Sequence, residues 1–297
     1  YEMRNDKTKN LLIYHFLVLI FGFASILGKL ISLKALPLSI YRMSIASLGL
    51  AIYFLIFNTN YFRLDRSMWG KVFLGGIFIG LHWFTFFYAI KTAGVSLTLS
   101  MMATGALITA IIDPLLSKRK ISTDEVFFGG LAAVGIGIIY QAEFEHFFGI
   151  SIAFLSAFLS ALFTILNGHM VKKVRPITLS FYELIVGAFL CLIITYFSDM
   201  FNIKNFMLSG MDLIWLMILG LVGTSFAFNM SIKVMKHLSS FTIMMVINLE
   251  PIYGILISLA IWKEKSFLSK DFYLGFTIVM LSIFLSAYYK KFRVFNK

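Results

Sequence analysis

Residues Phe148 to Met170 read FGISIAFLSAFLSALFTILNGHM. No Lys, Arg, Asp or Glu interrupts them, and at ~1.5 Å of helical rise per residue the stretch is long enough to cross a ~30 Å hydrocarbon core. Its apolarity is continuous rather than alternating, which reads as a helix in lipid and not as a barrel strand. Working outward, similar stretches recur at roughly 11–31, 37–57, 71–91, 95–116, 124–141, 178–198, 212–233, 238–262 and 270–290. The composition agrees: 60% of the 297 residues are hydrophobic, 33 are Phe, and mean hydropathy is +0.89. A soluble domain with that balance would lack the polar surface to cover itself. The expected fold class is therefore an all-α membrane protein of about ten transmembrane helices.

The formal net charge is +12. Nucleic acid is not the expected partner, because Lys and Arg form no single patch. They cluster at segment ends, where anionic headgroups attract them. Cys191, the one cysteine, lies in an apolar run and reads as a small core residue. No cleavable signal pattern is present, and Met3 is a possible native start.

Orientation follows from the same charges. With the N-terminus in the cytoplasm, 18 of the 26 Lys and Arg fall on the inner side, including Arg63, Arg66, Lys118–Lys120, Lys172, Lys173, Arg175, Lys233 and Lys236. Seven fall on the outer side, among them Lys29, Lys91 and Lys204. That bias favours both termini inside and an even number of spans.

The chain also resembles itself. Ser39-Ile40-Tyr41-Arg42 recurs as Ser180-Phe181-Tyr182-Glu183, Ala89-Ile90-Lys91 as Ser231-Ile232-Lys233, and Lys118-Arg119-Lys120 with Gly130 as Lys263-Glu264-Lys265 with Gly275. The matches keep their order at offsets of 141 to 145 residues. Two halves of five spans follow, over 11–141 and 148–290, with residues 1–10 and 291–297 as cytoplasmic ends. An odd number of crossings per half inverts the second half, a common construction of secondary transporters.

Charged groups at bilayer depth cost ~2.5–3.5 kcal/mol each and so face the protein interior or a wet cavity. Counting along the spans puts Glu250 roughly 18 Å and His82 roughly 16 Å from the inner face. Trp83 and Asn248 share that depth, and Arg42 lies roughly 22 Å from the same face. Pro251 removes a backbone donor beside Glu250 and can free carbonyls for a ligand. The expected substrate-binding set is Arg42 for a carboxylate, Glu250 for an amine or a proton, and His82, Trp83, Tyr88, Asn248 and Tyr253 around the solute. Glu183 lies ~13 Å lower in depth than Arg42 and is expected to pair locally near the cytoplasmic side, with an inner vestibule as the alternative. Small residues mark close helix contacts at Gly76 and Gly80 and at Ala153, Ala157 and Ala161.

Walker A, HExxH, GxSxG and TVGYG-like motifs are absent, and no His, Cys or carboxylate cluster has metal-ligand spacing. No cofactor, metal or catalytic residue is expected.

The run His82-Trp83-Phe84-Thr85-Phe86-Phe87-Tyr88-Ala89-Ile90-Lys91 followed by Val95-Ser96, and Glu250-Pro251-Ile252-Tyr253-Gly254 continuing to Trp262-Lys263-Glu264, resemble the EamA type of the drug/metabolite transporter superfamily. The resemblance spans nearly the whole chain as two halves. It implies ten helices, inverted repeats, a central cavity and, often, export of amino acids or other metabolites. The first half departs from the family at Lys118-Arg119-Lys120, where a Glu-Arg pair is usual, and at Thr104-Gly105-Ala106, where a Pro is usual, so the halves are not given symmetric roles. The expected function is a secondary transporter, an exporter of a small metabolite such as an amino acid, with Glu250 the proton-coupling candidate. An intramembrane enzyme acting on a lipid-linked substrate and a solute channel are the alternatives. The expected setting is a bacterial inner membrane, with a small-molecule substrate and membrane lipid as partners, in a monomer or homodimer.

Overall fold

The computed structural model describes residues 2–118, 120, 123–198, 201–262 and 269–295. Arg119 and Lys263-Glu264-Lys265, which carry part of the internal repeat, and residues 296–297 lie outside them. The described residues form helices and no strand. Among the described residues, seven helical stretches are long and apolar enough to cross a membrane: Thr8–Leu30, Ala35–Phe57, Arg66–Ala93, Val95–Leu116, Phe144–Met170, Pro176–Phe197 and Gly210–Val234. Phe127–Ala142 is a shorter apolar helix. Leucine and phenylalanine side chains point outward as well as inward, with Phe16, Leu55, Phe73, Phe189 and Leu213 all exposed. Only a hydrocarbon surround accommodates that surface.

The helices are α1 (Glu2–Leu30), α2 (Ala35–Phe57), α3 (Trp69–Ala93), α4 (Val95–Met102), α5 (Gly105–Leu116), α6 (Thr123–Ala142), α7 (Phe147–Met170), α8 (Pro176–Phe197), α9 (Gly210–Met217), α10 (Ala227–Val234), α11 (Ser240–Ile247), α12 (Glu250–Trp262) and α13 (Lys270–Phe295). Between α9 and α10 the backbone runs as a π-helix over Ile218–Phe226. Three of the expected continuous spans are thus interrupted: 95–116 at Ala103-Thr104, 238–262 at Asn248-Leu249, and 212–233 by the π segment. Pro251 sits in the first turn of α12, where its missing N–H has no helical partner to lose.

The interruptions obey the internal repeat. Three of the four boundaries of the first broken pair reappear 145 residues later, 95 at 240, 102 at 247 and 105 at 250, and the fourth, 116, at 262. Packing obeys it too. The pair α3 on α8 is matched by the π segment on α2, the packing of α1 on α11 and α12 by that of α7 on α4 and α5, and α6 packs on its own counterpart α13. Reciprocal pairing of this kind is what a two-fold relation between repeats produces. At the α6–α13 contact the backbones nearly touch. A Cβ built on Gly135 would lie 2.8 Å from the Gly275 carbonyl oxygen, and one on Gly275 would lie 2.7 Å from that of Gly135. Gly80 meets Gly187 in the same way across α3 and α8, with a built Cβ 2.7 Å from the opposing Cα. Ala153, Ala157 and Ala161 are fully buried on α7 against α3, α4 and α5.

Connections are short and specifically capped. Gly94 turns the chain from α3 into α4 at φ 87°, a region that favours glycine. Ser209 and Asp212 form a capping box at α9, and Asp212 also accepts from the Ser32 backbone N–H at 2.8 Å and its hydroxyl at 2.5 Å. The Lys91 ammonium donates to the Ile31 carbonyl, one of the orphan acceptors just past the end of α1.

Candidate functional site

A cavity of about 80 Å³ lies at the centre of the helices, lined from α1, α2, α3, α4, α7, α10, α11 and α12. Its polar residues are Tyr14, Arg42, His82, Ser160, Thr164, Ser231 and Glu250, and its apolar wall is largely aromatic, with Phe21, Trp83, Phe86, Phe163 and Phe228. Trp83 meets Phe228 edge-on at 5.3 Å, and Phe228 stacks on Phe163 at 5.5 Å.

Arg42 reaches the cavity from α2, which is held there by its packing on α8 and the π segment. The side chain is 4% exposed. Its guanidinium lies over the Trp83 ring at 3.9 Å from the centroid, a cation–π contact in a desolvated place. Nε donates to Thr224 Oγ1 at 2.8 Å. Thr224 can accept there because its own hydroxyl proton goes to the Leu219 carbonyl, five residues back, at 2.8 Å, a reach the π-helix provides. The two terminal nitrogens of Arg42 have no hydrogen-bond acceptor among the described residues, and no carboxylate lies within 4.0 Å of the guanidinium. They face the cavity with their donors unused.

Glu250 enters from the opposite repeat, at the first position of α12, and is also buried. It lines the same cavity as Arg42 and Tyr14 and makes no ion pair within 4.0 Å. No donor among the described residues bonds it. His82 Nδ1 lies 2.8 Å from Ser156 Oγ and 3.0 Å from the Ser156 carbonyl oxygen. A carbonyl only accepts, and Ser156 Oγ donates its proton to the His82 carbonyl at 3.0 Å. Nδ1 therefore carries the proton, and Nε2 is left for the cavity.

Arg42, His82, Trp83 and Glu250 thus come together. Three other expected residues do not line the cavity. Tyr88 lies five residues beyond Trp83, on another face of α3, and packs edge-on against Phe84 and Phe148. Tyr253 faces α1, where its Cβ would be 3.0 Å from a Cβ on Gly22. Asn248 ends α11 at the helix break, 1% exposed, with neither Oδ1 nor Nδ2 partnered. Glu183, expected to pair locally near the cytoplasmic side or to line an inner vestibule, is fully buried between α3, α7 and α8. Asn167 Nδ2 donates to its Oε1 at 2.9 Å, while Glu183 Oε2 and Asn167 Oδ1 have no partner. The small side of α3 makes that room, since a Cβ on Gly75 would lie 2.3 Å from Glu183 Oε1. Tyr14, Thr224 and Ser156 were not singled out from sequence. Nothing in their local pattern distinguishes them from hydroxyls that bond their own helix. Among the described residues, no group of three His, Cys, Asp or Glu could hold a metal.

The profile of the EamA-like transporter family matches residues 9–141 and again residues 147–288. The chain belongs to the EamA-like transporter family. It is a multi-pass membrane transporter of the drug/metabolite type, built from two repeats of that family. A solved crystal structure superimposes on it with a TM-score of 0.67, covering 95% of this chain and 96% of its own at 15% identity, a likeness that shows the fold alone. No curated protein matches the chain.

Proposed function

We propose that this EamA-family chain is a secondary transporter that exports a small zwitterionic metabolite, such as an amino acid, by alternating access around the central cavity. One observation carries the reading: Arg42 is buried with its terminal donors unpaired, facing a cavity that holds Glu250 on its other side. Leaving such donors unpaired at bilayer depth is costly. A solute carboxylate would occupy them, with Glu250 taking the solute amine or, when the solute leaves, a proton.

The size of the cavity adds a mechanical requirement. Small-molecule sites are ~300–1,000 Å³, so 80 Å³ has room for a few waters only. The reading is of a closed state, which opens by relative movement of the two halves. The paired breaks at Ala103-Thr104 and Asn248-Leu249 are the hinges in this scheme, since a chain without continuous i→i−4 bonding bends there first. Ten crossings in two oppositely oriented fives complete it, with α11–α12 and α13 as the last two. Both termini face the cytoplasm of a bacterial inner membrane.

The test is counterflow in proteoliposomes with a panel of labelled amino acids and with their decarboxylated and deaminated analogues. Saturable uptake of at least one amino acid, lost with both analogues, is expected. Uptake that ignores the missing carboxylate would remove the role given to Arg42. For coupling, flux is compared with and without a pH gradient. Equal flux in both, together with wild-type flux in Glu250→Gln, would remove the proton from the scheme.

A further inference from the structure

Helix α10 divides the central cavity from a second one. Phe228, Ser231 and Met235 face the centre, whereas Asn229, Met230, Lys233 and Lys236 line the other space. At ~100° per helical residue Phe228 and Ser231 point to the opposite side of α10 from Asn229, Met230 and Lys233, and Met235 and Lys236 continue the two sets in the turn just past its end. The second cavity, about 790 Å³, therefore lies behind α10, between it, α2 and the start of α8, and is not an approach to the central site.

Its walls change character along their length. At one end α2 and the π segment cross closely. A Cβ on Gly49 would lie 2.9 Å from Leu221 Cδ2 and 3.0 Å from Ser225 Oγ, and Ser225 Oγ donates to the Ala46 carbonyl at 2.7 Å. Below that crossing the groove opens between Tyr53, Leu221 and Phe226, which are 41%, 38% and 49% exposed and continuous with the hydrocarbon-facing surface. At its far end stand Arg175, Lys233, Lys236 and His237, all exposed. Arg175 is held over the Tyr61 ring at 5.5 Å. No Asp or Glu lines the groove, and no carboxylate lies within 4.0 Å of these cations among the described residues. An apolar channel ending in uncompensated positive charge has the profile of a lipid with an anionic head.

We propose that this groove binds one anionic glycerophospholipid, its phosphate between Arg175, Lys233 and Lys236 and one acyl chain along Tyr53, Leu221 and Phe226. The lipid fills the wedge between α2 and α10. Both helices border the central cavity, so occupancy braces them independently of the transported solute.

Native mass spectrometry of the full chain in detergent tests it, with phosphatidylglycerol, phosphatidylcholine and glycerol 3-phosphate as probes. One retained phosphatidylglycerol is expected, with phosphatidylcholine weaker and glycerol 3-phosphate neither retained nor competing. Lys233→Gln with Lys236→Gln lowers retention by about fivefold per charge, whereas Lys204→Gln, far along the sequence in another loop, leaves it unchanged. Equal retention by the double variant, or an equal loss with Lys204→Gln, overturns the site. Equal binding of phosphatidylcholine overturns the anionic selectivity. Competition by glycerol 3-phosphate shows a phosphate site and overturns the lipid.

Discussion

Replacing Gly135 by alanine tests the contact between the two repeats most directly. The added methyl would lie 2.8 Å from the Gly275 carbonyl oxygen and 2.8 Å from Val279 Cγ2, both well inside ordinary van der Waals separation. A carbonyl on the helix backbone cannot rotate away, so α6 and α13 must move apart. Overpacking of this kind costs about 1–3 kcal/mol. Alanine is also a better helix former than glycine by about 1 kcal/mol, which offsets part of it. Gly137 supplies the internal control, because it sits two residues along the same helix and a Cβ there meets nothing within 4 Å. Gly137→Ala keeps the propensity gain without the clash. The two variants therefore differ by about 1–3 kcal/mol, or roughly 2–12 °C in melting temperature at about 2–4 °C per kcal/mol for a protein approaching this size. Fluorescence-detected size exclusion after heating, in one detergent and at one concentration, reads the difference. A Gly135→Ala protein that melts at or above Gly137→Ala would refute the close backbone approach.

Further expectations concern the polar residues. Arg42→Lys keeps the charge but loses the Thr224 bond and the planar contact with Trp83, so kcat/KM in counterflow falls by about 10²–10³-fold, equivalent to ~3–4 kcal/mol; a fall below threefold contradicts the placement. Thr224→Val removes that acceptor while Thr224→Ser keeps it, and only the valine variant is expected to slow transport by tenfold or more. Glu183→Gln supplies an N–H for the unpartnered Asn167 Oδ1 and retains wild-type melting or better, whereas Glu183→Ala loses ~2–4 kcal/mol through its cavity and the stranded Asn167 amide. Asn248→Leu removes two unpartnered buried polar atoms and raises the melting temperature by a few degrees, at ~1–3 kcal/mol for each orphaned group; unchanged melting would show that water already serves them.

Hydropathy alone made the chain a helical membrane protein, because lipid admits backbone only when its hydrogen bonds are closed within each segment. Depth counting placed Arg42, His82, Trp83 and Glu250 at a common level, since helical rise is fixed and each lies on a long apolar run. Helical rise fixes depth but not azimuth around the helix axis. Tyr253, three residues beyond Glu250, faces α1, and Tyr88, ~9 Å farther along α3 than His82, packs on Phe84 and Phe148. Glu183 has the register of Arg42 in the repeat, yet it closes a contact with Asn167 instead of lining a space. The breaks at Ala103-Thr104 and Asn248-Leu249 and the π segment at Ile218–Phe226 also lie beyond hydropathy, which averages over the residues concerned. Which face of a helix meets another is decided by side-chain packing across the repeats. That packing set Thr224 under Arg42 and α10 as the wall between two cavities. Composition and rise determined how deep each group lies, and only tertiary contacts decided what it touches.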